Sequence, residues 1–318
     1  MTNALAVNFC GLQLTSPIVL LSGCVGFGEE YTRIAGFSNR DAGAIVLKGT
    51  TKGPRLGNPP HRLWETPEGM LNAIGLQNPG VDKVVDEILP GLDFSETRFL
   101  ANVCGSTIDE YAEVTRRFHD SPIDGMEINI SCPNVKEGGV AFGNYPDMSA
   151  RVVAACRAVT DKPLITKLSP NQTDIAANAR ACIDAGSDGL AVINTIMGMA
   201  VDVETRRPII GNVQGGLSGP AVKPVILRMV LQCARAIGIP IVASGGISSA
   251  EDVVEFMLAG ASGAQVGTAT FIHPTAMTRV IDGLIAYCER HGVERLAELI
   301  GAIEYPVMDP VLLAPIGS

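Results

Sequence analysis

The fold class predicted here is α/β, a (β/α)8 TIM barrel with long βα-loop insertions over its C-terminal face, and three observations predict it. Strand-type and helix-type stretches alternate along the chain, and counting gives eight strand–helix units. The strand stretches are short and apolar throughout, as expected when one face meets helices and the other a barrel interior. Most of them stop at polar residues or glycines, where a parallel barrel gathers its site. An open doubly wound sheet would want a GxGxxG after the first strand, and Gly23-Cys24-Val25-Gly26 does not supply it. At 318 residues the chain reads as one domain, 1–318, a barrel of ~250 residues with additions.

The elements follow in order. Residues 17–21 (PIVLL) are a strand that ends in Ser22-Gly23, and a helix is expected around 29–35. Residues 44–48 (AIVLK) are the second strand. The excursion 49–80 is rich in Gly and Pro, and connections this long inside a compact domain are usually functional. A helix is expected over 81–89, a strand over 99–103, a helix over 108–118 and a strand over 125–130. A helix over 148–160, a strand over 163–168 and a helix over 175–185 follow, the last stopped by Gly186. The strand 189–193 ends in Asn194-Thr195, and a second glycine-rich excursion spans 197–219. A helix over 222–237, a strand over 239–243, a helix over 250–259 and a strand over 264–266 complete the rhythm. Closing helices are expected over 274–290 and 293–300.

Composition narrows the function. Net charge is −9, from 24 basic and 33 acidic residues, with no run of Lys or Arg, which speaks against nucleic acid. Eight cysteines are scattered without CxxC pairing or metal spacing, and the N-terminus lacks a signal-peptide pattern. The expectation is a cytoplasmic protein with reduced thiols and no metal. No apolar run approaches the ~20 residues a membrane span needs, so no membrane is expected.

If the barrel closes, its strand ends converge on one face. That face collects Ser22, Lys48, Asn102, Asn129, Cys132, Lys167, Asn194 and Thr195, with Gly245, Gly246, Gly267 and Thr268 after the last two strands. Side-chain-poor turns in those last two units are where barrels commonly bind phosphate. Lys48 and Lys167 end apolar strands, which is costly unless an anion or dipole meets them. The stretch 127–143 (EINISCPNVKEGGVAFG) opens from a strand into a glycine-hinged loop. There Cys132, beside Pro133 and flanked by Asn129 and Asn134, could be a general base or a nucleophile; a buried apolar thiol is the plain alternative. Two cations, several amides and a phosphate cradle point to a phosphate-bearing cofactor against a small anionic substrate. A non-redox barrel lyase or isomerase binding a sugar phosphate, with Lys167 forming a Schiff base, shares these features. A purely structural or regulatory barrel has no reason to assemble them.

Three motifs together resemble class 1 dihydroorotate dehydrogenase. They are Asn129-Ile130-Ser131-Cys132-Pro133-Asn134, the run from Asn72 through Gly80 (NAIGLQNPG), and the run from Ser22 through Gly28 (SGCVGFG). The pattern is most similar to the type B catalytic subunit and runs over essentially the whole chain. The resemblance implies FMN-dependent oxidation of dihydroorotate to orotate in pyrimidine biosynthesis. Cys132 would take the C5 proton while the C6 hydride goes to flavin N5. Lys48 would touch flavin and substrate. Asn72, Ala73, Ile74, Gly75 and Leu76 would line the substrate, and Asn129, Asn134, Asn194 and Thr195 would read its ring edges. Lys167 would sit by the flavin N1/O2 edge. Ser22, Gly49, Asn102, Asn129, Ile193 and Gly219 would pack or hydrogen-bond the flavin, and Gly245, Gly246, Gly267 and Thr268 would hold its phosphate. Thr195 stands where other members have serine. The membrane-bound class 2 enzymes use a serine base and carry an N-terminal extension, and dihydropyrimidine dehydrogenases have histidine where Asn134 stands. The resemblance further implies a homodimer joined by a second subunit carrying FAD and a [2Fe–2S] cluster, a heterotetramer passing electrons to NAD. Type A members instead form a homodimer that reduces fumarate.

Overall fold

The computed structural model describes residues 4–131 and 142–305. Eight parallel strands close a barrel. They are β1 (Ile18–Leu20), β2 (Ala44–Val46), β3 (Arg98–Val103), β4 (Gly125–Asn129), β5 (Leu164–Lys167), β6 (Gly189–Val192), β7 (Ile241–Ser244) and β8 (Gly263–Val266). Each pairs with its neighbour in sequence, and β8 closes on β1 through Ala264 opposite Ile18. The predicted fold is the observed one, with strand ends within two residues of those expected.

Helices pack outside the barrel where apolar faces and caps require them. Ile108–His119 starts at Thr107, whose hydroxyl accepts from Glu110 N, and buries Tyr111, Val114 and Phe118. Its acidic first turn and basic last turn match the helix dipole. Ala250–Leu258 begins with a reciprocal cap between Ser249 and Asp252. Pro146–Arg157, Ile175–Asp184, Lys223–Ala236 and Ala276–His291 complete the long helices. Most of their buried side chains meet the outward faces of the strands in one continuous core.

Four expectations are corrected. The helix expected over 29–35 is a single turn, Tyr31–Arg33, bounded by Gly28 and Gly36 at positive φ. The segment 81–89 forms one α turn, Val81–Lys83, then widens into a π turn, Val84–Ile88, before Pro90. The last expected helix, 293–300, reduces to the turn Leu296–Leu299. The two excursions are not plain loops. Leu63–Thr66, Gly69–Asn72, Gly215–Ser218 and Ile196–Gly198 join edge to edge as one antiparallel sheet above the carboxyl ends of the strands.

A further hairpin, Val7–Phe9 with Leu12–Leu14, was not expected from the sequence. Val7, Phe9 and Leu14 are buried against Val19, Ala44, Leu100, Ile165 and Val242. These strand residues face the barrel interior, so the hairpin plugs its amino-terminal mouth.

Candidate active site

Side chains alternate faces along a strand, so the residue two places after an inward one also points inward. Val46 is followed by Lys48, Leu100 by Asn102, Ile165 by Lys167 and Gly263 by Gln265. The interior therefore changes from apolar at the amino end to polar at the carboxyl end. Asn102, Glu127, Lys167 and Gln265 meet there, all buried. Glu127 accepts from Asn102 Nδ2 at 2.7 Å and Gln265 Nε2 at 2.5 Å, and pairs with Lys167 Nζ at 3.4 Å.

Above this floor lies a cavity of about 330 Å³, within the ~300–1,000 Å³ of small-molecule sites. Its wall includes Lys167, Ile193, Asn194, Thr195 and Gly219 together with Gly245, Gly246, Gly267 and Thr268. The glycines are needed: a Cβ on Gly245 would strike Ile226, on Gly246 Lys223, and on Gly267 Leu21. Gly245 and Gly246 also hold φ of +140° and +76°. Thr268 Oγ1 donates to Ser218 Oγ at 2.8 Å, joining the turn after β8 to the cap sheet.

The remaining expected residues that are described do not line this cavity. Ser22 donates to Leu47 O at 2.7 Å. Two ammoniums, those of Lys167 and Lys48, act on the Cys24 thiol, which burial pushes up to about 11 against their pull. Burial also pulls Lys48 below the ordinary lysine range; the Cys24 and Cys104 thiols oppose this and Arg62 adds to it. Gly49 packs against Asn102, where a Cβ would lie 2.8 Å from Oδ1.

Asn72 ends a cap strand and donates to Gly216 O at 3.2 Å. Gly216 in turn lies so close to Thr195 that a Cβ there would overlap its hydroxyl. Asn58 pins the following turn, its N–H on Ile74 O at 2.9 Å and its amide on Ala73 O at 2.8 Å. Gly75 and Leu76 both take positive φ in it, and Asn78 Nδ2 holds Leu76 O at 2.7 Å.

Asn129 and Asn194 are joined at 3.1 Å, and Ser131 Oγ donates to Asn129 Oδ1 at 2.9 Å. Cys132 and Asn134, with most of the loop 135–143, lie outside the described residues. The chain returns at the same strand end: Gly143 N donates to Ile130 O at 2.9 Å, and Phe142 packs edge-on against Tyr111. Among the described residues, no group of three or more His, Cys, Asp or Glu could hold a metal ion, and no helix is long and apolar enough to cross a membrane.

Glu127 and Gln265 were not singled out from the sequence. The available signal was an acidic residue and an amide inside strands buried on both faces, on the inward parity of Asn129 and Gly267.

Comparison with known proteins follows the same line. The family model described as dihydroorotate dehydrogenase matches residues 4–287. The chain is 50% identical over 301 residues to a protein of Pelobacter propionicus named dihydroorotate dehydrogenase B (NAD(+)), catalytic subunit, covering 94% of this chain and 98% of that one. Proteins of the same name from Geobacillus kaustophilus and Trichlorobacter lovleyi are 51% and 50% identical, over 94% and 96% of this chain and 95% and 100% of theirs. A crystal structure of DHODH in complex with ferulenol from Eimeria tenella superposes with a TM-score of 0.77 at 24% identity, covering 94% of this chain and 88% of that one, a likeness of fold. The chain belongs to the dihydroorotate dehydrogenase family and is an oxidoreductase.

Proposed function

We propose that this chain, as one FMN-binding barrel domain over 1–318, oxidises dihydroorotate to orotate in pyrimidine biosynthesis as a type B catalytic subunit. The observation that carries the reading is one cavity lined both by the glycine turns and by Lys167, which is paired with Glu127 beneath it. FMN fits that arrangement. The side-chain-poor turns line the cavity with backbone rather than side chains, and Gly245, Gly246, Gly267 and Thr268 would hold a phosphate there. Glu127 is Lys167's only hydrogen-bond partner among the described residues, which leaves ammonium protons for a ligand. When bound, FMN supplies the ring that takes up the two electrons and the hydride leaving the substrate.

The chain's own residues would do the rest. Lys167 offsets negative charge at the flavin N1/O2 edge. Ser22, Gly49, Asn102, Ile193 and Gly219 shape the flavin's surroundings. Asn129, Asn134, Asn194 and Thr195 present donors and acceptors to an imide-like ring, while Lys48 and the turn Asn72–Leu76 receive the substrate carboxylate. Cys132 withdraws the C5 proton as general base. The cap sheet excludes water from that exchange.

The relatives named as B (NAD(+)) catalytic subunits support type B over a fumarate-reducing type A enzyme. We infer a cytoplasmic homodimer partnered by an FAD and [2Fe–2S] subunit, since the scattered cysteines offer no cluster spacing. The purified protein should be yellow and should bleach when dihydroorotate is added without oxygen. A colourless protein that takes up no FMN would overturn the reading.

A further inference from the structure

Glu127 is 1% exposed on the inward face of β4, and its carboxylate collects donors from three other strands. A carboxylate only accepts, so it settles how its amide neighbours face. Gln265 must turn its NH2 towards Glu127, which leaves its Oε1 on the other side. That oxygen is buried and has no partner, while Gln265 itself lines the cavity. Asn102 is oriented in the same way, its Oδ1 taking the Cys104 thiol at 3.3 Å. Lys167, 5% exposed, is held at one point by Glu127 and lines the same cavity.

We propose that Glu127 is a positioning residue for the flavin chemistry. It fixes the Lys167 ammonium at the cavity wall and offsets part of its field, and it turns Gln265 Oε1 away from the carboxylate as a spare buried acceptor that would serve a donor of the cofactor. The proposal rests on the FMN reading. In a site of low dielectric the carboxylate weakens the attraction between Lys167 and the negative charge that reduction brings to the flavin. Removing that carboxylate charge leaves the ammonium uncompensated. Reduction of the bound flavin then becomes easier and its reoxidation harder.

The test is a spectroelectrochemical titration of FMN-loaded wild-type protein, Glu127→Gln, Lys167→Met and the double variant. Glu127→Gln should raise the flavin midpoint potential and Lys167→Met should lower it. In the double variant the two opposite shifts should partly cancel. A Glu127→Gln potential equal to wild type overturns the proposal, because a merely structural carboxylate moves stability and not potential. Gln265→Met keeps the size and removes the acceptor, so its FMN dissociation constant should rise about tenfold, the weight of one hydrogen bond. An unchanged constant overturns the acceptor role, and this variant decides should Glu127→Gln fail to fold. A wild-type protein that binds no flavin would instead defeat the FMN reading itself.

Discussion

The two ends of the barrel interior are built from the same strands and do opposite work. At the amino end Val19, Leu100, Ile165 and Val242 close on the plug residues Val7, Phe9 and Leu14. Two residues beyond Leu100 and Ile165 the same parity gives Asn102 and Lys167, which with Gln265 surround Glu127. One end buries apolar surface and holds the barrel together. The other buries polar groups, each of which needs a partner to be tolerable. The difference teaches that stability and chemistry are divided along each strand, so substitutions at the two ends should fail in different measurements.

The largest effect is expected at the carboxyl end. Cys132→Ala removes only proton abstraction, so kcat should fall ~10²–10⁴-fold. FMN content and Tm should stay at wild-type values, because the strand end is held by Ser131, Gly143 and Phe142. Steady-state kinetics beside a melting curve checks this, and a near-wild-type rate at neutral pH would remove Cys132 as the base.

Phe9→Ala is the mirror experiment. Phe9 is 2% exposed inside the plug, and its truncation should destabilise the protein by about 3–5 kcal/mol in urea. KM and the flavin spectrum of the folded fraction should not move. If they move with stability, the two halves of the barrel are not independent.

The cap gives a smaller effect. Gly216→Ala would place a methyl group on the Thr195 hydroxyl and push apart Thr195 and the strand that carries Asn72. The KM for dihydroorotate should rise by roughly tenfold with little change in Tm, the weight of one lost polar contact. An unaltered KM would mean that Thr195 and the cap do not bound the substrate.

The same division explains what the sequence disclosed. The barrel was legible because strands buried on both faces leave unbroken apolar runs such as 17–21 and 189–193. The cavity residues were legible because glycines, lysines and asparagines at strand ends are out of place in a core. The plug was not, since a hairpin of two three-residue strands offers no period long enough to read. The cap sheet was not, because it pairs Leu71 with Leu217 across a long separation and its glycines read as loop. Glu127 was hidden by alternation: a polar residue every second place in Met126–Asn129 reads as a half-solvated strand. Only barrel closure turns that face inward.

The smallest effect concerns the Lys48 ammonium. Burial lowers its pKa from 10.5, so between the folded and unfolded values the unfolded chain holds more protons than the native one. The charged lysine therefore opposes folding below its folded pKa, and that opposition fades as pH rises towards 10.5. On the proposed reading a substrate carboxylate would supply the missing counter-charge and bind the ammonium form. The KM for dihydroorotate should be flat near neutrality and climb in alkaline solution, with its onset below the ordinary lysine range. Lys48→Met should remove that climb, raise KM at neutral pH and raise the Tm of the substrate-free protein. A Lys48→Met protein that melts lower and keeps the alkaline rise would mean that Lys48 belongs with the stabilising end of the barrel, not with the end that binds substrate.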